Sequence, residues 1–237
     1  MRLRIVSWNV HSWRDSFFRD RFTEMLAILI GLRPQVLCIQ EARWDPEMRI
    51  YSYELSTLRD KLDLSAYALA QTHLSPIHKQ ATGLCIFLNG EITSKSETEI
   101  GRFFGIRRKI LSVEARFQQS VLTIATAHVS PVPWPTATHL KWEWLPRPRE
   151  TQRLVDAISS LSQPLILAVD LNAPPESKEY QRLRSVLKEP GRFHATHTSG
   201  LCVDYFFVSP EIDISMISPG LASSPSDHYP IAAEVNI

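Results

Sequence analysis

The chain lacks most of the features that would place a protein outside the cytoplasm. Its cysteines are few and odd in number, three in 237 residues. Cys38, Cys85 and Cys202 each stand inside an apolar run, which excludes a disulfide framework and offers no zinc-ligand spacing, so buried free thiols in a reducing compartment are expected. No charge of one sign dominates: 26 Lys and Arg face 25 Asp and Glu, a formal net charge of +1. Nothing global therefore demands a polyanionic partner, although local basic clusters stay open. There is no N-terminal apolar region with a small-residue cleavage site, and no hydrophobic run reaches the length of a membrane span. A soluble, cytoplasmic protein is the expectation. Internal repeats are absent as well. What remains is an ordinary folded composition, 44 % hydrophobic and 22 % charged, at a length that suits a single domain over residues 1–237.

Within that composition the polar residues are placed unevenly, at the ends of apolar runs. Residues 164–175 carry five apolar residues straight into Asp170 and Asn172, then a double proline. Such a run suits a strand covered on both faces, opened by Pro164 and stopped beyond Asn172. By period-two alternation Asp170 and Asn172 point to one side, where one can take a proton from a water that the other positions. Asn9 ends a first strand over 3–10. Glu41 follows a second over 35–40, and His128 ends one over 121–128. Asp204 lies in a strand over 202–208, and Asp227 and His228 introduce the last, over 231–235.

Between these strands, Phe18, Phe22, Met25 or Leu26, and Leu29 recur at helical spacing, with Gly31 and Pro34 ending that helix. Leu55, Leu58 and Leu62 suggest a second, and further helices are predicted over 149–161 and 177–188. Asn89-Gly90 reads as a type I′ hairpin turn, and Gln118-Gln119-Ser120 joins a second strand pair. Apolar strands joined by both hairpins and helical crossovers predict two mixed β-sheets face to face with helices outside, a four-layer α/β sandwich. A doubly wound sheet is the alternative, and the hairpins count against it.

The polar tips hold no activated nucleophile, since the cysteines read as core. Glu41 with Asp227 and an amide oxygen suits a hard cation such as Mg²⁺, which prefers oxygen ligands, better than zinc. A phosphoryl centre attacked by water needs that cation, a base, and groups that stabilise developing charge. In this order and spacing, Ser-Trp-Asn9-Val, Ile-Gln-Glu41, Ala-His128-Val, Val-Asp170-Leu-Asn172, Val-Asp204-Tyr and Ser-Asp227-His228 resemble the motifs of the endonuclease/exonuclease/phosphatase superfamily, across nearly the whole chain. The resemblance implies a divalent-metal-dependent phosphoesterase with the DNase I-like sandwich. It implies Glu41 as principal ligand of Mg²⁺ or Mn²⁺, with Asn9 and Asp227 contributing directly or through water. Asp170 is implied to activate the attacking water and Asn172 to position it. His228 is implied to contact the phosphate, held by Asp204, with His128 as a second phosphate-side histidine. His11 departs from the pattern where a carboxylate often stands, and Ala168 replaces a common glycine.

Single residues also have plainer readings. His128 alone would be a structural histidine, Asp204 a turn cap, and Asn9 a bend residue. His11, His73, His78, His139, His194 and His197 belong to no motif and read as surface or loop residues. Residues 131–148 are rich in proline and tryptophan. Trp134, Trp142 and Trp144 can stack bases or sugars, with Lys141, Arg147 and Arg149 on phosphates, or they can pack on the protein's own flank or in a dimer contact. Arg102, Arg107, Arg108 and Lys109, close to Phe103 and Phe104, can touch a phosphate backbone, but they read first as a solvated strand start. Phosphodiesters of nucleic acid are the first substrate expectation, and small or phosphoinositide-like phosphate esters the second. A binding protein that keeps the fold without turnover is the third, disfavoured because every polar tip is present.

Overall fold

The computed structural model describes residues 2–131 and 146–236. Trp134, Lys141, Trp142 and Trp144 lie outside them. Among the described residues, eleven strands form two mixed sheets. The first sheet runs in the order β10 (Asp213–Ile217), β11 (Ile231–Asn236), β1 (Arg2–Asn9), β2 (Val36–Trp44), β4 (Ala81–Leu88), β3 (Ala66–Leu74). The second runs β5 (Glu91–Phe103), β6 (Ile106–Phe117), β7 (Ser120–His128), β8 (Leu165–Asp170), β9 (Asp204–Val208). Helices α1 (Phe22–Leu32) and α2 (Tyr53–Lys61) cover the outer face of the first sheet. Helices α3 (Arg147–Ser159) and α4 (Lys178–Arg184) cover that of the second. The four-layer sandwich expected from the sequence is therefore present.

Strand alternation explains the layers and also aims the polar tips. Leu3 and Ile5 of β1, Val36 and Cys38 of β2, Leu122 and Ile124 of β7, Ile166 and Ala168 of β8, and Phe206 and Val208 of β9 meet between the sheets. Their neighbours in sequence, such as Val6, Leu37, Leu167 and Phe207, pack outward under the helices. Continuing the inward parity by period two reaches Ser7 and Asn9, Gln40, Thr126 and His128, Asp170 and Asp204. The inter-sheet core thus changes from apolar to polar at one end of every central strand. β1 pairs parallel to β2, and β7 parallel to β8. These crossovers bring carboxyl ends to one edge, and the antiparallel β9 and β11 start from it.

Several local expectations are corrected. Asn89-Gly90 does not close a hairpin: β4 and β5 belong to different sheets, and the chain crosses between layers there. The type I′ pattern lies one connection later, at Phe104 (φ 47°) and Gly105 (φ 80°), which joins β5 to β6 and leaves Phe104 exposed. Phe18 is outside α1 and exposed, because residues 15–21 are tied into a loop by Asp15, whose carboxylate accepts from the main-chain N–H groups of Phe17 and Arg19. Gly31 lies within α1, which ends instead at Arg33 in the left-handed region. β2 does not stop at Glu41. It bulges there, with Glu41 at φ 55°, and resumes pairing with β4 at Ala42. The short strand β10 was not singled out in the sequence. Its mixed pattern carries no clean alternation. All three cysteines are free and buried, and among the described residues no helix is long and apolar enough to cross a membrane.

Gly83 sits where bulges of both neighbours of β4 meet. A Cβ there would stand 2.1 Å from Ala70 O and 2.9 Å from the Trp44 ring. The nearer obstacle is backbone and cannot swing away. Gly83→Ala is expected to lower unfolding free energy by about 1–3 kcal/mol through overpacking, read from denaturant midpoints. An unchanged midpoint would contradict this packing.

Candidate active site

Asp170 is the centre of the polar edge. It is fully buried at the end of β8, in register with His128 on β7 and Asp204 on β9. Its Oδ2 accepts from Asn9 Nδ2 at 2.9 Å and lies 3.5 Å from His128 Nε2 and 3.8 Å from His228 Nε2. Its Oδ1 accepts from the Asn172 main-chain N–H at 3.0 Å. Burial raises the Asp170 pKa and the charge of Asp204 raises it further. His228 and the hydrogen bonds from Asn9 and Asn172 pull it down, and the balance is about 7. Such a carboxylate can accept a proton near neutrality.

The histidines on either side of Asp170 are driven in opposite directions. Burial disfavours the charged form of His228, but Asp204 and Asp170 outweigh it and carry its pKa up to about 10. Its Nδ1 is 2.9 Å from Asp204 Oδ2, so the pair expected from the sequence is present. The main chain of His228 is also fixed, its carbonyl accepting from Trp8 Nε1 and its N–H donating to Ser226 Oγ. His128 is pushed well below the usual histidine range by burial, then by Arg108 and His228. Arg108 lies 3.1 Å from His128 Nδ1. A guanidinium has no acceptor, so that nitrogen is assigned as the bare one; Nε2 lies 3.0 Å from Asn172 Nδ2 and 3.5 Å from Asp170 Oδ2. His128 is therefore neutral, and His228 is the histidine that brings positive charge.

Arg108, Ser130 and Glu150 form a buried support that sequence reading missed. Arg108 Nε donates to Ser130 Oγ, and Ser130 N–H and Oγ–H both donate to Glu150, at 2.8 Å each. Arg108 is not a solvated strand start: it is 8 % exposed, and Glu150 on α3 is 1 % exposed. The three residues are about twenty positions apart in sequence, so no local pattern announces them. Arg147 is likewise buried rather than free for phosphates. It donates to Asn172 O and pairs with Glu179 at 3.4 Å. Asn172, at φ 51°, also donates through Nδ2 to Val129 O. Arg149 is exposed in the first turn of α3.

Glu41 sits beside this cluster on the bulge of β2. Its Oε1 is 3.3 Å from Asn9 Nδ2 and 3.7 Å from His128 Nδ1, and its side chain is partly open to solvent. Asn9 turns its Oδ1 to the His11 main-chain N–H and presents its amide nitrogen to Glu41 and Asp170. In this orientation it braces carboxylates rather than offering an oxygen ligand. Asp227 faces His11 and His197. Asp170, Asp204 and His228 also have donor atoms close enough to share an ion, but they already satisfy one another through the His228 hydrogen bond. The open carboxylate of Glu41 fits a hard divalent cation better.

Glu150→Ala would leave the Ser130 N–H and hydroxyl without their buried acceptor. Leaving those buried donors unsatisfied is expected to cost about 1–3 kcal/mol, measured by chemical denaturation. A loss within experimental error would show that this support carries no stability.

The comparisons agree with the geometry. The profile of the Endonuclease/Exonuclease/phosphatase family matches residues 6–228. No curated protein matches in sequence. Among solved structures, an endonuclease/exonuclease/phosphatase from Beutenbergia cavernae DSM 12333 aligns with TM-score 0.81 at 15% identity, covering 100% of this chain and 72% of that one. The human Nocturnin catalytic domain, solved with a bound sulfate anion, aligns with TM-score 0.73 at 16% identity, covering 99% and 94%. A mannosyl-6-phosphatase of Bacteroides thetaiotaomicron VPI-5482 aligns with TM-score 0.66 at 14% identity, covering 99% and 100%. At these identities the structural matches speak for the fold, while the profile spans all six motifs from Asn9 to His228. The chain belongs to the endonuclease/exonuclease/phosphatase family, whose members are phosphoester hydrolases.

Proposed function

We propose that this protein hydrolyses phosphodiesters of nucleic acid by direct in-line attack of water, with Asp170 as the base. The observation that carries the reading is the pairing of opposite roles at one edge: a buried carboxylate tuned to accept a proton beside a histidine tuned to keep one. Asp170 takes a proton as the water oxygen bonds to phosphorus, and the bond from phosphorus to the leaving oxygen breaks on the far side. Protonated His228 donates a hydrogen bond to a phosphoryl oxygen as negative charge builds there, and Asp204 holds its ring in place. Asn9 and the Asn172 N–H fix the Asp170 carboxylate so that little reorganisation is needed. Burial and then Arg108 keep His128 neutral on the other side.

Glu41, braced by the Asn9 amide and with Asp227 directly or through water, would hold Mg²⁺ or Mn²⁺, which when bound withdraws charge from the phosphoryl oxygens. The partly open Glu41 carboxylate supports this placement. A second reading, a small phosphate ester as substrate, is favoured by a cleft of about 240 Å³ beside Glu41 and His128, walled by Thr72, His73, Thr82 and Arg108. That space suits one sugar or nucleoside better than a duplex. The neighbour named a mannosyl-6-phosphatase is consistent with it.

Asp170→Asn is expected to lower turnover of end-labelled oligonucleotides by about 10²–10⁴-fold with the thermal transition retained. Wild-type rates would assign the base elsewhere. Glu41→Ala is expected to raise the Mg²⁺ concentration needed for half-maximal rate by about 10-fold or more. An unchanged metal titration would remove Glu41 as the principal ligand. The same assay run on phosphomonoesters separates the two substrate readings, because only the second predicts faster release of phosphate from a sugar phosphate.

A further inference from the structure

Among the described residues the exposed phenylalanines are Phe17, Phe18 and Phe104, at 78 %, 68 % and 85 %. All three stand on loops at the catalytic edge. Phe18 lies in the loop that follows β1, and its ring packs on His11, 5.6 Å between centroids, where His11 faces Asp227. Phe104 is at the tip of the β5–β6 hairpin, and the strand that leaves the tip carries Arg108 to His128. The two loops reach one opening. Ser12 from the first and Ile106 from the second wall the cleft beside Glu41 and His128.

Exposure alone decides nothing, since single apolar residues on a surface are ordinary. The backbone sets Phe18 and Phe104 apart. Phe18 has φ 62° and Phe104 φ 47°, in the left-handed region, where a bulky residue is an outlier and glycine fits without cost. Gly105 follows Phe104 at φ 80°, so Phe104 holds the first central position of a type I′ turn, which favours asparagine, aspartate or glycine. Phe18 closes its own turn by donating its N–H to Asp15 O. At both places the chain accepts local strain in order to set an aromatic ring in water. Strain of this kind, kept at loops over an active site, is a mark of ligand clamps.

Charge identifies the ligand. Arg102 and Arg107 flank the tip with side chains more than half exposed, and their nearest carboxylate, Glu99, stands off at 3.6 and 3.9 Å. Phe103 packs on Phe104 with centroids 4.3 Å apart, which steadies the outer ring. On the other loop Arg14 and Arg19 flank Phe17 and Phe18, with Arg19 paired to Asp15 and lying 5.2 Å over the Phe17 ring. Aromatic faces set between guanidinium groups match the alternation of base and phosphate along an unpaired strand. In a duplex the bases cover one another's faces, and no ring can lie on them without unstacking.

We propose that Phe18 and Phe104 are stacking platforms for unpaired bases near the scissile phosphate, which makes the substrate of the Asp170 site a single-stranded nucleic acid. The inference rests on the phosphodiesterase reading above and narrows it. One platform comes from a loop of each sheet, and the phosphate lies between the sheets at Asp170 and His228. Arg107 holds the backbone beside the Phe104 platform.

The test is fluorescence anisotropy of labelled single-stranded and duplex oligonucleotides of one sequence, with chelator present so that nothing is cut. Phe18→Gly and Phe104→Gly remove the ring and relieve the backbone, so their denaturation midpoints should equal or exceed that of the wild type. Each is expected to weaken single-strand binding by about 5–150-fold, with weaker duplex binding little changed. The salt dependence should stay that of the wild type, whereas Arg107→Gln should lower its slope by about 1. Equal single-strand affinities in the wild type and both glycine variants, no single-strand binding in the wild type, or a preference for duplex would overturn the platforms. So would variants that lose binding to anionic lipid vesicles, or lose a concentration-dependent dimer, while keeping oligonucleotide affinity. If the wild type with Mg²⁺ still cut oligonucleotides in any of those cases, the phosphodiesterase reading would stand alone. A wild type that neither binds nor cuts any oligonucleotide, yet releases phosphate from a sugar phosphate, would overturn both.

Discussion

Burial of the Asp170 carboxylate is the constraint on which the site depends. A carboxylate with no solvent contact is stable only if its surroundings replace water. Here Asn9, the Asn172 N–H and His228 do so from the first sheet, from the loop after β8 and from the loop before β11. The replacement is incomplete, as the upward shift to about 7 shows. That incompleteness suits the base role proposed for the group, because a fully compensated carboxylate would be too weak a base to take a proton from water.

The fold meets this constraint through strand parity rather than through one special loop. Residues that alternate inward as Leu, Ile, Val and Phe over most of each strand become Asn9, Gln40, Thr126, His128, Asp170 and Asp204 at one end. The polar ends then bond across the gap between sheets, as Gln40 does to Ser7 on its own sheet and to Thr126 on the other. Two parallel crossovers and two antiparallel returns deliver the ends to the same edge. Behind that edge, Arg108, Ser130 and Glu150 lock His128 from the side of α3. The site is thus a continuation of the core, with hydrogen bonds in place of van der Waals contacts.

Much of this was legible in the sequence because it is local. The run from Leu165 to Asp170 announces a strand and its polar end, and the same holds for Asn9, His128 and Asp204. The layer order followed from the mix of crossovers and hairpins. Asn89-Gly90 misled, because the dipeptide favours a tight turn but does not determine whether the next strand returns to the same sheet. Phe18 misled because helical spacing ignores the Asp15 loop that takes the residue out of register. Glu41 was identified as a tip although β2 continues past it; a bulge leaves no signature in composition. Arg108 with Ser130, and Ser130 with Glu150, were invisible for a different reason. Their partners are brought together only by the fold, and a lone arginine in a sequence has no direction. The tryptophan-rich segment over 131–148 lies largely outside the described residues, and its two readings stand as the sequence left them.

The central claim is that water attacks phosphorus directly, with Asp170 as base and no covalent enzyme intermediate. The stereochemical course at phosphorus tests it most directly. Hydrolysis of an oligonucleotide carrying a single chiral phosphorothioate, in isotopically labelled water, should give inversion with one labelled oxygen incorporated. Retention would mean two displacements and a covalent intermediate, and would contradict the account.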